Sequence, residues 1–155
     1  MAIIRFIHLL SLVIWLGGMI FFSFIAAPSI FKVLPRETAG DVVGDIFPKY
    51  WVMGYVCGIT AIITAILLSV QGKAYPWTMI ILLFVMSGLT FYSGLVVGLK
   101  ARDVKAQIRT IEDPSQKEAL GFQFKALHKR STILNGIILI LGLVVIFFTS
   151  YQLKN

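Results

Sequence analysis

The chain offers few side chains that could do chemistry, and they fall into four sets. The first is sulfur. Met53 and Cys57 are one helical turn apart, Met79 and Met86 share a helical face, and Met19 sits within another apolar run. Thioethers and thiols select soft metals such as Cu(I), so these residues could line a soft-metal path through a membrane. Methionine also fills gaps in cores, and packing is the plainer reading. The second set is the histidine pair His8 and His128, which invites comparison with haem held between helices of a bundle. The third is Asp41 and Asp45, also one turn apart. Two carboxylates could help to bind a cation, but they are too few alone, and a solvated helix face explains them more simply. The fourth is a group expected to converge where a first loop meets a later stalk: Arg36, Glu37, Asp41, His128 and Asn135. These five are the candidate site. Their plainer role is a latch of salt bridges and hydrogen bonds that closes a bundle.

The elements that must position these groups follow from composition. Of the 155 residues, 58% are apolar and 14% are charged, whereas a soluble domain has about 45–50% apolar and about 25% charged residues. Mean hydropathy is +0.89. Four stretches without a formal charge, Phe6–Phe31, Tyr50–Gly72, Ala74–Leu99 and Ser131–Leu153, each reach the roughly 20 residues that a helix needs to cross a bilayer. The expected fold is all-α: one polytopic membrane domain over residues 1–155, an antiparallel four-helix bundle whose third and fourth helices extend into the cytoplasm. The first span is too long for a signal-peptide core and would place Pro28 after the cleavage point, so it reads as a retained helix. Pro28 predicts a kink or an early end near Ala27.

Loop charges predict the orientation. The segments after the first and third spans, 32–49 and 100–130, hold eleven Lys and Arg residues, against three at the other side (Arg5, Lys73 and Lys154), and they hold all seven acids. By the positive-inside tendency both termini lie outside and both larger loops face the cytoplasm. His8 and His128 then stand at opposite surfaces, separated by roughly 30 Å, so one haem cannot join them. The net charge of +7 lies in short segments between apolar runs. It fits anionic lipid headgroups better than nucleic acid, which is not expected as a partner.

Within the second loop, Val104, Ile108 and Ile111 continue an apolar stripe beyond Leu99, Glu112-Asp113-Pro114-Ser115 breaks it, and Leu120, Phe124, Leu127 and Ser131 resume it. This predicts a helical hairpin projecting about 20 Å. The first loop reads as a short amphipathic helix between Pro35 and Pro48, with Val42, Val43, Ile46 and Phe47 on its apolar face. No Asp, Glu, Lys or Arg enters the spans, which disfavours ion-coupled transport within them. Asn135 is the most polar group away from the span ends. The pairs Gly54–Gly58 and Gly94–Gly98 have the spacing of helix-packing motifs and permit a homo-oligomer without requiring one.

The run of His8, Trp15-Leu16-Gly17-Gly18, Phe21-Phe22, Ala27-Pro28, Leu34-Pro35-Arg36, Ala39-Gly40 and Phe47-Pro48-Lys49-Tyr50, with Leu127-His128-Lys129-Arg130-Ser131 later, resembles the transmembrane protein 205-like family. Bacterial members are catalogued as a domain of unknown function, and eukaryotic relatives are associated with tolerance of platinum drugs. The resemblance implies a bacterial inner-membrane protein that handles or transports a small solute, a soft metal or a xenobiotic. The opening histidine and W-x-G-G pattern is more distantly similar to copper-resistance membrane proteins and to a haem-containing protoporphyrinogen oxidase family. The alternative is a membrane scaffold acting through the cytoplasmic hairpin, with a haem redox protein third. No enzymatic activity and no cofactor are expected, and the identity of any small-molecule substrate stays open.

Overall fold

The computed structural model describes residues 2–71 and 76–153. The expected span boundaries at 72 and 74, and the charges Lys73 and Lys154, lie outside the described residues. The described residues form four long helices: α1 (Ala2–Val33), α2 (Arg36–Val70), α3 (Trp77–Thr110) and α4 (Pro114–Leu153). All four are long and apolar enough to cross a membrane. The protein is an all-α four-helix bundle and an integral membrane protein. His8 meets Thr64 while Phe22 meets Phe47, so α1 and α2 run antiparallel. Trp51 against Gly98 and Ser87 against Gly58 give α2 and α3 the same relationship. The α1–α2 turn and the α3–α4 hairpin therefore share one end of the bundle, called here the charged end.

The sidedness of burial is that of a protein whose solvent is lipid. Phe6, Phe24, Val56, Phe84, Ile140 and Phe147 are exposed, while His8, Ser11, Thr64, Ser87, Thr90 and Ser93 are buried. Apolar side chains gain little by leaving hydrocarbon, whereas polar ones must find partners inside. Threonines solve this locally. Thr64, Thr90 and Thr149 donate to the carbonyls of Thr60, Met86 and Val145, four residues back, a bond that costs the helix little.

Neither Pro28 nor Pro48 ends its helix. α1 continues past Ala27 to Val33, because a π-helical segment over Phe21–Ala26 widens the turn ahead of Pro28. The widened turn gives the ring room at the position that an α-helix would crowd. The chain leaves α1 at Leu34, extended at φ −104 and ψ 151, the conformation favoured before proline. The first loop does not form a separate short helix. α2 runs without a break from Arg36 through Pro48 to Val70. Phe47 and Tyr50 flank the proline and both pack on Phe22, with ring centroids 5.3 and 5.4 Å away, so contacts to α1 hold the two sides of Pro48 in line.

The hairpin forms as its stripe predicts. α3 runs to Thr110, Val104 is buried and Ile108 half-buried, and Ile111 is extended at ψ 128. Asp113 then caps α4, its Oδ1 accepting the Ser115 amide at 3.0 Å, with Pro114 as the first helical residue.

Candidate functional site

Two tryptophans organise the bundle interior. Trp15 of α1 lies on Gly54 and Gly58 of α2, where an added Cβ would stand 3.4 Å from Nε1 and 3.1 Å from Cη2 of the indole. Trp51 of α2 lies on Gly94 and Gly98 of α3, where the corresponding approaches are 2.9 and 2.0 Å. The glycine pairs thus do mediate close packing, but what they admit is an indole. A second π-helical segment, Ser93–Gly98, coincides with the cradle for Trp51.

Between these indoles lies a narrow cavity of about 10 Å³, lined by Trp15, Met19, Tyr50, Trp51, Gly54, Thr90, Ser93, Asn135 and Ile138. That is room for about one water. The Tyr50 hydroxyl donates to Asn135 Oδ1 across α2 and α4 over a long 3.4 Å. Trp51 Nε1 and Ser93 Oγ are buried and have no hydrogen-bond partner among the described residues; Ser87 Oγ, near Gly58, is in the same state. A buried polar group without a partner costs about 1–3 kcal/mol, and two of the three, those of Trp51 and Ser93, belong to residues that line this cavity. The indole N–H can only donate, and the hydroxyl and the amide can donate as well. No charged side chain is in the lining, and what the cavity has room for is an uncharged hydrogen-bond acceptor of about the size of a water.

Toward the opposite end the interior closes on a satisfied polar pair. His8 Nδ1 and Thr64 Oγ1 are hydrogen-bonded at 2.8 Å, and Ser11 donates to the His8 carbonyl at 2.7 Å. Here His8 joins α1 to α2 and is fully buried.

At the charged end, Asp41 accepts from Lys105 Nζ at 2.8 Å and from Arg109, and Lys105 also donates to the Gly40 carbonyl at 2.8 Å. This ties the start of α2 to the hairpin. The hydrogen bond from Lys105, reinforced by the charges of Lys105 and Arg109, holds the Asp41 carboxyl below the usual range. Asp45 is held down likewise, first by its hydrogen bond from Lys49 at 2.6 Å. The two carboxylates are therefore engaged by separate cations, Asp41 by Lys105 and Arg109 and Asp45 by Lys49. Among the described residues no group of three or more His, Cys, Asp or Glu side chains could hold a metal ion.

The five sequence candidates accordingly occupy different places. Asp41 joins the latch and Asn135 lines the cavity, the latter paired with a residue nine positions further along α2 than Asp41, about 13 Å along the axis. Arg36 and Glu37 are exposed and form no ion pair among the described residues. His128 is exposed and stacks on Phe124 within α4. Lys105, Arg109, Tyr50, Trp51 and Ser93 are the partners that sequence reasoning did not select. The spacing of Ser87, Thr90 and Ser93 on one helical face was the available signal. Of the sulfur groups, Met19 reaches the cavity, whereas Cys57, Met79 and Met86 pack in the core.

A family model described as a domain of unknown function (DUF4149) matches residues 10–110, the stretch that carries α1 from Leu10, all of α2 and the whole of α3. The chain belongs to the DUF4149 family. An uncharacterised protein of Aquifex aeolicus (strain VF5) is 50% identical over 48 residues, 31% of this chain and 35% of the relative. The chain thus matches about a third of that relative's length. No solved structure matches the chain. The DUF4149 match includes Trp15, both glycine pairs, Tyr50, Trp51, Ser93, Asp41 and Lys105; Asn135 and His128 lie beyond it.

Proposed function

We propose that this DUF4149 protein binds a small uncharged solute between its helices and handles or transports it across the membrane, without catalysing a reaction. The observation that carries the reading is the pair of buried, unpartnered groups Trp51 Nε1 and Ser93 Oγ, on residues that line one cavity together with Asn135. A solute with a carbonyl or similar acceptor oxygen would satisfy them once the helices part, since the cavity as it stands has room for about one water. The lack of intramembrane charge supports a neutral cargo over an ion-coupled one. Met19 is the one sulfur in the lining, so a neutral hydrogen-bonding solute fits better than a soft-metal path. The transmembrane protein 205-like resemblance belongs to this proposal, as does a bacterial inner-membrane location with the charged end cytoplasmic.

The test is permeation of urea, glycerol, formamide and a neutral platinum complex into proteoliposomes. The expected result is faster entry of at least one probe than into protein-free vesicles, lost in Ser93→Ala/Asn135→Leu. Equal entry of every probe with folded wild-type protein removes the transport reading. A membrane scaffold working through the hairpin is the second reading, favoured by the exposed Phe122 ring beneath Lys125, 5.5 Å from centroid to Nζ.

A further inference from the structure

Arg130 is the last cation of α4 before its uncharged run. Its guanidinium lies 5.3 Å over the ring of Tyr92, and it forms no ion pair among the described residues. Tyr92 precedes Leu99 by seven residues on α3, about 10 Å along the axis. Between them Leu95, Val96 and Leu99 present exposed apolar side chains. The first cation of α3 is Lys100, beyond this apolar stretch. On α4, by contrast, the uncharged run begins at Ser131, so Arg130 and the Tyr92 ring stand at the level where the α4 span begins. A cation at that level is drawn to anionic headgroups, and every acid of the α3–α4 hairpin, Asp103, Glu112, Asp113 and Glu118, lies beyond it toward the hairpin tip. Stacking on Tyr92 stabilises the guanidinium through the ring face and leaves its edge donors available. Those donors match a phosphate oxygen pair.

We infer that Arg130, held on Tyr92 at the α3–α4 seam, is a binding site for the phosphate of an anionic phospholipid. The lipid is the occupant because the exposed Ile133, Ile137 and Ile140 follow Arg130 along α4 toward the bilayer centre and offer its acyl chains an apolar surface, which a free phosphate would not use. The site is independent of the cavity reading, since Arg130 and Tyr92 do not line that cavity.

Native mass spectrometry of the full chain in detergent, titrated with phosphatidylglycerol and separately with phosphatidylcholine, tests this. Wild type is expected to prefer phosphatidylglycerol, and Arg130→Gln to lose about tenfold in that affinity, the size of one charge-assisted hydrogen-bonded contact. Arg130→Lys keeps the charge without the planar fork and is expected to lie between them. Lys117→Gln, at the hairpin tip, is expected to match wild type. The inference is overturned if wild type shows no preference, if Arg130→Gln or Arg130→Lys retains all of it, or if Lys117→Gln loses as much, which would mean diffuse charge. Displacement of phosphatidylglycerol by millimolar inorganic phosphate would likewise overturn it in favour of a soluble anion. Should Arg130→Gln fail to fold, the Arg130→Lys and Lys117→Gln arms decide the matter.

Discussion

The Trp51 indole rests directly on Gly98, so that a Cβ at that glycine would stand 2.0 Å from Cη2 and 2.5 Å from Cζ3 of the ring. Both partners are buried, and the ring also packs against Phe47, with centroids 5.2 Å apart. Neither group has room to retreat. Gly98→Ala is expected to destabilise the protein by about 1–3 kcal/mol, the usual cost of overpacking. Gly88→Ala, where a Cβ meets nothing within 4 Å, is expected to be neutral or mildly stabilising. Thermal unfolding in one detergent compares the two, and a Gly98→Ala variant as stable as Gly88→Ala contradicts the packing described.

His8 and Thr64 form the buried link between α1 and α2 at 2.8 Å. Cross-helix hydrogen bonds in membrane bundles couple by about 0.6 kcal/mol on average and about 1.7 at most. A double-mutant cycle of His8→Leu and Thr64→Val is expected to return a coupling within that range and of stabilising sign. Zero coupling would mean that the pair contributes no more than packing.

The latch at the charged end carries a pH signature. Its Asp41 carboxyl lies below its usual range because Lys105 hydrogen-bonds it, so the unfolded chain takes up the proton at higher pH than the folded one. The stabilisation is present above the unfolded carboxylate value near about 3.9 and is lost as pH falls through the lower folded value. Asp41→Asn is expected to flatten stability against pH in this acid range. Because the groups are half-exposed, the effect should be smaller than that of Gly98→Ala and should weaken with added salt. An unchanged acid limb in Asp41→Asn would contradict the assignment.

Cys57 packs in the core at 6% exposure. Maleimide labelling of the folded protein is expected to be slow, rising to the rate of a free thiol once the chain is unfolded. Rapid labelling of the native state would reopen the sulfur path, which requires access to that side chain.

Much of the architecture was legible along the chain, because span length and the absence of charge are properties of local sequence. The hairpin was legible too, since the Val104–Ile108 stripe and Asp113-Pro114 report their own periodicity and cap. The prolines misled for an instructive reason. Pro28 and Pro48 break helices as local residues, but a π-helical turn and the Phe22–Phe47–Tyr50 aromatic cluster, each dependent on the wider packing, let the helices pass through. The candidate site was only partly readable. Asn135 stood out by polarity and does line the cavity, and Asp41 does join the latch, whereas Arg36, Glu37 and His128 stay outside both.

By itself, then, the sequence determined that this is a four-span helical membrane chain with uncharged spans and most of its charges gathered at one end, because hydrocarbon accepts long apolar helices and little else. Tertiary structure decided which polar groups meet. Trp51, Ser93 and Asn135 come from three helices, and Asp41, Lys105 and Arg109 from two. Such meetings depend on the rotation and depth of each helix, which the glycine cradles under Trp15 and Trp51 set and which no single helix encodes.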